Sequence, residues 1–451
     1  VSGPGSLTKI GTNRLDLNSV SNSYAGDTFL NEGEIGVDED GMIGTGTLRL
    51  QGGVLTSTGS RSTTANFIPN PIVMTSDTVM RNSGGTSGTS RVLSFNGSSI
   101  TTSGGTLSLT NGADAVTNNT FDVRFIGGGF NFTRPIVLDG GVGADNSVQL
   151  FLGNSNAAPT QTFSGVISGN GKVRRSGVVS SDAGTTIFTA ANTYTGGTVV
   201  FAGTLLANNS SGSATGPGTV LVTNLGTLGG TGTIAGSVIV ATNGNIAPGT
   251  SAGTLTLQNG FDASASGTYV WELAANSTSG PGSNFDVLSV TGGDVVLGGS
   301  SKLALTFSGS ATTPNASDVF WQSPRSWTIL TVSGGASNPG ATAFATITNT
   351  FAAGTFTNYA DVSGNIILAF TPSAAAPPQP TLSPNIVGAG TASATVSWSS
   401  VAGYTYTVQY KTNLNQVGWL TLGTAAATGT TTSLVDNSGP HPERYYRVVW
   451  P

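Results

Sequence analysis

One tripeptide keeps returning along this chain. Gly-Thr-Leu stands at Gly46-Thr47-Leu48, Gly105-Thr106-Leu107, Gly203-Thr204-Leu205, Gly226-Thr227-Leu228 and Gly253-Thr254-Leu255. Three copies run on as alternating strands: Leu48-Arg49-Leu50, Leu107-Ser108-Leu109 and Leu255-Thr256-Leu257. The last three copies begin about 25 residues apart, the length of one coil in a parallel β-solenoid. One coil has too little apolar surface to bury alone, whereas stacked coils share a continuous core. Every second side chain of each short strand points inward. That alternation assigns Leu205, Val220, Val222, Leu228, Ile234, Val238, Val240 and Ile246 to the core. At roughly 20–27 residues and ~4.8 Å per coil, residues 1–370 would make on the order of 15 coils, roughly 70–80 Å long. Between residues 1 and 160 the tripeptides lie too far apart to fix where each coil begins.

Composition agrees with many short strands and tight turns. The 451 residues include 66 Gly and are 37% hydrophobic but only 8% charged, where a soluble globular domain carries about 25% charge. So little charge excludes disorder driven by self-repulsion. Gly supplies the turns, and Thr and Val suit pleated, half-buried positions. The 16 basic and 21 acidic side chains leave a net charge of −5 with no basic stripe, which argues against nucleic acid as a partner. The absence of Cys removes disulfides, thiolate zinc sites and cysteine nucleophiles together. No apolar run approaches the ~20 residues of a membrane span. Val1-Ser2-Gly3-Pro4-Gly5 reads as the start of a mature chain whose signal peptide has gone.

A longer motif carries a resemblance. Phe163-Ser164-Gly165-Val166-Ile167-Ser168-Gly169-Asn170-Gly171 is followed by Ala191-Asn192-Thr193-Tyr194-Thr195-Gly196-Gly197-Thr198-Val199-Val200 and then Gly203-Thr204-Leu205. Leu228-Gly229-Gly230-Thr231-Gly232-Thr233-Ile234-Ala235-Gly236, Ile246-Ala247-Pro248-Gly249, and Tyr269-Val270-Trp271-Glu272-Leu273 leading to Phe285-Asp286-Val287-Leu288-Ser289-Val290 continue it. These residues resemble the autotransporter-associated β-strand repeat of bacterial passenger domains, over roughly residues 160–370. Residues 1–160 share its style but not its motif. The resemblance implies a right-handed parallel β-helix exported to the cell surface, and no particular activity. The end of the chain is short for an outer-membrane barrel, so the resemblance does not extend to self-translocation.

The pattern changes at Pro372-Ser373-Ala374-Ala375-Ala376-Pro377-Pro378-Gln379-Pro380, which reads as a stiff linker. Beyond it, Ala394-Thr395-Val396-Ser397-Trp398, Tyr404-Thr405-Tyr406-Thr407-Val408-Gln409-Tyr410, Trp419-Leu420-Thr421-Leu422 and Arg444-Tyr445-Tyr446-Arg447-Val448-Val449-Trp450 predict a small antiparallel sandwich. The strand Trp and the late Tyr-Tyr-Arg-Val resemble a fibronectin type III domain, over about residues 381–451. That family has a strand after the Tyr-containing one, so its place here is an edge open to a neighbour's strand or shielded by Pro451. The expected fold is therefore all-β: a long right-handed parallel β-helix over 1–371, a linker over 372–380 and a sandwich over 381–451.

Chemistry is sparse. The single histidine, His441, lies between two prolines with no nucleophile elbow in the chain, so it reads as a turn residue. Glu32, Glu34, Asp38, Glu39 and Asp40 form the one dense acidic stretch, with Gly33, Gly36 and Gly41 beside it. Oxygen-rich loops of this kind can hold calcium, although a solvated acidic face is the plainer reading. Lys172, Arg174 and Arg175 make the densest basic cluster, a patch the acidic loop of another subunit could meet. The glycine-rich segments lack a following helix and a Gly-Lys-Ser/Thr, so they are turns. Trp321 and Trp327, around Pro324 and Arg325, read as a cap on the solenoid before they read as a sugar platform.

Three functions compete. The leading expectation is a secreted, non-catalytic subunit of an extracellular filament, sheath or surface layer of a bacterium, a polymer of identical chains. The alternative is a surface adhesin or carbohydrate-binding protein on a β-helical stalk, with an extracellular polysaccharide as partner. The third is a polysaccharide-active enzyme, which needs acids clustered on successive coils with a Lys or Arg. No cofactor is expected beyond the calcium just named. An exposed aromatic row spaced by whole coils would favour binding, and none is evident.

Overall fold

The computed structural model describes residues 1–449 apart from 39–42, 60–66, 84–89, 98, 113–119, 141–146, 155–159, 176–183, 374–379, 383–391 and 441. Most of the expected linker and the whole of His441 thus lie outside the described residues. Among the described residues there is no α-helix. They divide into two compact units, Val1–Pro372 and Ser373–Pro451.

The first unit is a parallel β-solenoid. Leu7–Lys9, Thr28–Leu30, Leu48–Leu50, Ile72–Met74 and Ile100–Thr102 stack as one parallel sheet. Arg14–Asp16, Glu34–Val37, Val54–Ser57, Thr78–Asn82, Leu107–Thr110, Ile136–Asp139 and Ile167–Gly169 stack as a second. From Ser90–Phe95 onward the remaining strands continue the stack, until Arg325–Ser337, Gly354–Ala360 and Ile366–Pro372 end it with antiparallel pairs.

Register sets the core. Leu48 lies between Thr28 and Ile72, Leu109 between Met80 and Leu138, and Phe125 between Phe95 and Leu152. Like side chains therefore stack on like. The eight core residues expected from alternation are all 1% exposed or less. An aromatic ladder runs inside the stack, with ring centroids of Phe132 and Phe163 5.9 Å apart and those of Phe163 and Phe188 also 5.9 Å apart. Each fully buried ring of this size contributes about 1.5–3 kcal/mol. At the antiparallel end, Trp321 and Trp327 are both 1% exposed. They pack on one another and on Phe320 and Phe356, so both belong to the core at this end.

The Gly-Thr-Leu copies do not share one place in the coil. Gly203-Thr204-Leu205 lies directly on Gly226-Thr227-Leu228, whereas Thr254 and Leu255 pair with Val287 and Leu288 in a different column. The tripeptide marks a corner opening into a strand, and a coil has several such corners. Gly203 shows what the corner requires: its φ is +68°, and an added Cβ would come within 3.0 Å of the Arg175 guanidinium and the Gly184 carbonyl. Asparagines stack at another corner. Asn82 donates to Asn111 at 2.9 Å and accepts from the Gly112 amide at 2.6 Å, so corner amides are satisfied from coil to coil.

The second unit is two small antiparallel sheets. Ala394–Ser399 pairs with Thr431–Asp436, and Thr405–Lys411 lies between Leu420–Ala426 and Tyr445–Val449. Val396, Trp398, Tyr406, Val408 and Ala427 form its core.

Candidate functional site

Among the described residues of the solenoid, two grooves stand out. One, of about 470 Å³, is lined by Thr254, Ser289, Thr331, Ile367 and neighbours, with no acid or base among its described lining residues. The other, of about 300 Å³, holds two acids, Glu272 and Asp286. Its chemistry is the better defined.

The floor of this second groove follows from alternation on a parallel sheet. Thr186, Leu205 and Leu228 point inward and are fully buried. Their neighbours Thr185, Thr204 and Thr227 therefore point outward, and register places them one above another. Leu206, Gly229 and Ala247 form a parallel column of small or apolar residues beside them. Among the described residues, the three threonine hydroxyls make no hydrogen bond within the chain. The groove floor is thus a row of free hydroxyls beside an apolar strip.

One wall is acidic. Glu272 sits on Thr268–Leu273, and Asp286 follows the turn that leads from that strand into Val287–Val296. Asp286 is 1% exposed. Its carboxyl accepts from the amides of Gly253 at 2.8 Å and Glu272 at 3.0 Å, and its backbone carbonyl accepts from Trp271 Nε1 at 3.0 Å. Burial outweighs those donors and pushes the carboxyl up to about 8, with the charge of Glu272 adding to the rise. Asp286 therefore holds its proton at neutral pH. Glu272 accepts from the Ser308 hydroxyl. Glycoside cleavage needs carboxyls on both sides of the scissile bond. Here both acids share a wall, and no acid or base faces them among the described lining residues.

The residues singled out in the sequence scatter. The Glu32 carboxylate accepts from the Gly11 amide at 3.1 Å. Glu34 pairs with Arg81 at 2.6 Å and lies 3.9 Å from Arg14. Asp38 is half-buried just after the strand, while Glu39 and Asp40 lie outside the described residues. Among the described residues no three acids or histidines come together as a metal-holding group. The basic cluster is not one patch. Strand pleating exposes Lys172, leaves Arg174 half-buried outside and turns Arg175 wholly inward. There Arg175 donates to the carbonyls of Leu152 and Gly184 and to Asn154 Oδ1.

Arg174 instead belongs to a ladder in which arginines and phenylalanines of successive coils alternate. The Arg174 guanidinium lies 5.3 Å from the Phe151 ring centroid and 5.1 Å from that of Phe201, and Arg124 covers the other side of Phe151 at 4.7 Å. Phe151 is only 8% exposed. The alternation of Arg and Phe between coils hid the ladder.

A heptapeptide also occurs twice with one geometry. Asn22-Ser23-Tyr24-Ala25-Gly26-Asp27-Thr28 and Asn192-Thr193-Tyr194-Thr195-Gly196-Gly197-Thr198 agree at Asn, Tyr, Gly and Thr. In each the Tyr is buried and its hydroxyl meets the Thr hydroxyl at 2.6 Å. The passenger-associated-transport repeat matches residues 7–37 and 179–207, one around each copy. Two segments of the chain are thus similar to a passenger repeat. That similarity also covers residues 7–37, outside the 160–370 to which the sequence motif was confined. The chain is similar to the Adhesin BmaC autotransporter of Brucella suis biovar 1 (strain 1330), 28% identical over 338 residues. The alignment covers 62% of this passenger-like chain and 9% of the adhesin. The chain thus spans a small part of that relative's length. Among the described residues no helix is long and apolar enough to cross a membrane.

Proposed function

We propose that this passenger-like chain is an adhesive segment of a bacterial surface protein, exposed outside the cell and presenting a binding face rather than an active site. The similarity to an autotransporter adhesin carries this reading, and the hydroxyl-lined groove supports it. It is the alternative of the sequence reading, preferred over the filament subunit because the relative is named an adhesin. The second unit, with its two sheets around Trp398, serves in this reading as a fibronectin type III-like module. Beads coated with the full chain should be retained under flow on host-cell or polysaccharide-coated surfaces, and uncoated beads should not. Regular filaments of the purified chain in negative stain, with no bead retention, would restore the filament reading. Calcium at Glu32, Glu34, Asp38, Glu39 and Asp40 is a separate proposal, removed if a chelator leaves the melting transition unchanged.

A further inference from the structure

We propose that the groove over Thr185, Thr204 and Thr227, walled by Glu272 and Asp286, binds an uncharged or amino-sugar polysaccharide lying across successive coils. The inference deepens the adhesive reading by naming a ligand class and a place for it.

Four observations converge. First, three hydroxyls recur in register with no partner among the described residues, at the rung spacing of ~4.8 Å. A polymer of repeated hydroxyl-bearing rings can meet such a row unit by unit. Second, the apolar strip of Leu206, Gly229 and Ala247 runs beside the hydroxyls. Pyranose rings carry C–H faces edged by hydroxyls, so polar and apolar columns side by side match them. Third, the Glu272 carboxylate supplies a strong acceptor for sugar hydroxyls or amines at one wall, and no Lys or Arg is among the described residues that line the groove. A uronate or sulfated chain would meet a carboxylate without a compensating cation. Fourth, the floor strands offer no free backbone. Thr198–Ala207 and Val220–Gly230 are each paired in parallel on both sides, so an extended peptide cannot add itself as a strand. Recognition must pass through side chains, which suits a saccharide better than a peptide. The volume of about 300 Å³ lies at the small end of ligand sites.

The test is calorimetric titration of the full chain with three hexasaccharides: β-1,4-linked glucose, β-1,4-linked N-acetylglucosamine and α-1,4-linked galacturonate. The double variant Thr204→Val, Thr227→Val keeps the β-branched shape and removes two hydroxyls. Glu272→Gln removes the carboxylate charge. We expect saturable binding of a neutral or N-acetylated hexamer, at least tenfold weaker in the valine variant with an unchanged melting temperature. Galacturonate should bind poorly and gain affinity in Glu272→Gln. No saturable binding of the neutral hexamers at millimolar concentration would overturn the proposal. So would binding that the valine variant leaves intact, or selection from a random peptide library of groove ligands that the same variant releases. Bead retention separates the two readings. Hexamer binding without retention sinks the adhesive function and keeps the groove, and retention without hexamer binding does the reverse.

Discussion

The same heptapeptide sits in two different settings. Around Tyr194 the layer below is the strand Ile167–Gly169 and the layer above is a turn: the Asn192 side chain accepts from the Ile167 amide at 2.7 Å in the coil below and donates to the Ala214 carbonyl at 2.6 Å in the coil above. Around Tyr24 the layer below is residues 1–6, which form no strand. The Tyr–Thr hydroxyl pair has the same length in both copies, so local sequence suffices for it. The asparagine bond to the layer below changes partner, because that layer supplies it: Asn22 Oδ1 accepts from the Val1 amino group at 2.9 Å where Asn192 accepts from a strand amide. The comparison separates what a repeat specifies by itself from what the stack adds.

The largest test is truncation of the tyrosines. Tyr194→Ala should cost about 3–5 kcal/mol, as other buried aromatic truncations do, while Tyr24→Ala should cost at least 1 kcal/mol less in urea denaturation. Equal losses would mean that the motif is self-contained and the stack adds nothing. Next comes the asparagine bridge. Asn192→Ala leaves two buried backbone groups unpaired, at about 1–3 kcal/mol each, so a loss of about 2–6 kcal/mol is expected, with a smaller one for Asn22→Ala. Amide exchange should rise first at Ile167 if the bridge is what fails.

Smaller effects sharpen the contrast. A Cβ on Gly196 would come within 3.0 Å of the carbonyls of Asn170 and Gly171, and one on Gly26 within 3.0 Å of Gly5 and Ser6. Gly196→Ala should cost about 1–3 kcal/mol, and Gly26→Ala less, since residues 1–6 can shift. The smallest effect is the hydroxyl itself: about 1 kcal/mol for Tyr194→Phe at neutral pH. At alkaline pH it acquires a sign. Burial raises the ionisation of both phenols above 10.0, further for Tyr194. Above pH 10 the unfolded chain loses those protons and the folded chain keeps them, so the contribution of these two tyrosines to stability is flat below pH 10 and falls above it. Tyr194→Phe should remove more of that fall than Tyr24→Phe, and the reverse order would contradict the deeper burial of Tyr194.

Much of the solenoid was legible because alternation is local. Leu205, Val220 and Leu228 could be assigned inward from their own strands. What joins coil to coil was harder to read. The threonine column of the groove exists only because coils of unequal length bring Thr185, Thr204 and Thr227 into register, and no fixed spacing announces that. The heptapeptide at 22–28 escaped notice because three of its seven positions differ from the copy at 192–198. Arg175 was read as a surface charge beside Lys172 and Arg174, although one step along a pleated strand reverses its direction. Asp286 stood in the quoted motif, but its raised ionisation depends on burial beneath a turn that sequence does not place.

The direction of the backbone bonds has a mechanical consequence. In the solenoid they run from coil to coil, along the stack and across the strands. A pull on the two ends of the stack therefore loads the rungs one after another, like opening a zip. Each coil that opens gives up ~4.8 Å of rise and releases roughly 20 residues, which reach about 70 Å when extended. A surface protein built this way lengthens in small steps under a sudden load, and Asn192, tied to the coil below and the coil above, marks where one such step should need more force than its neighbours.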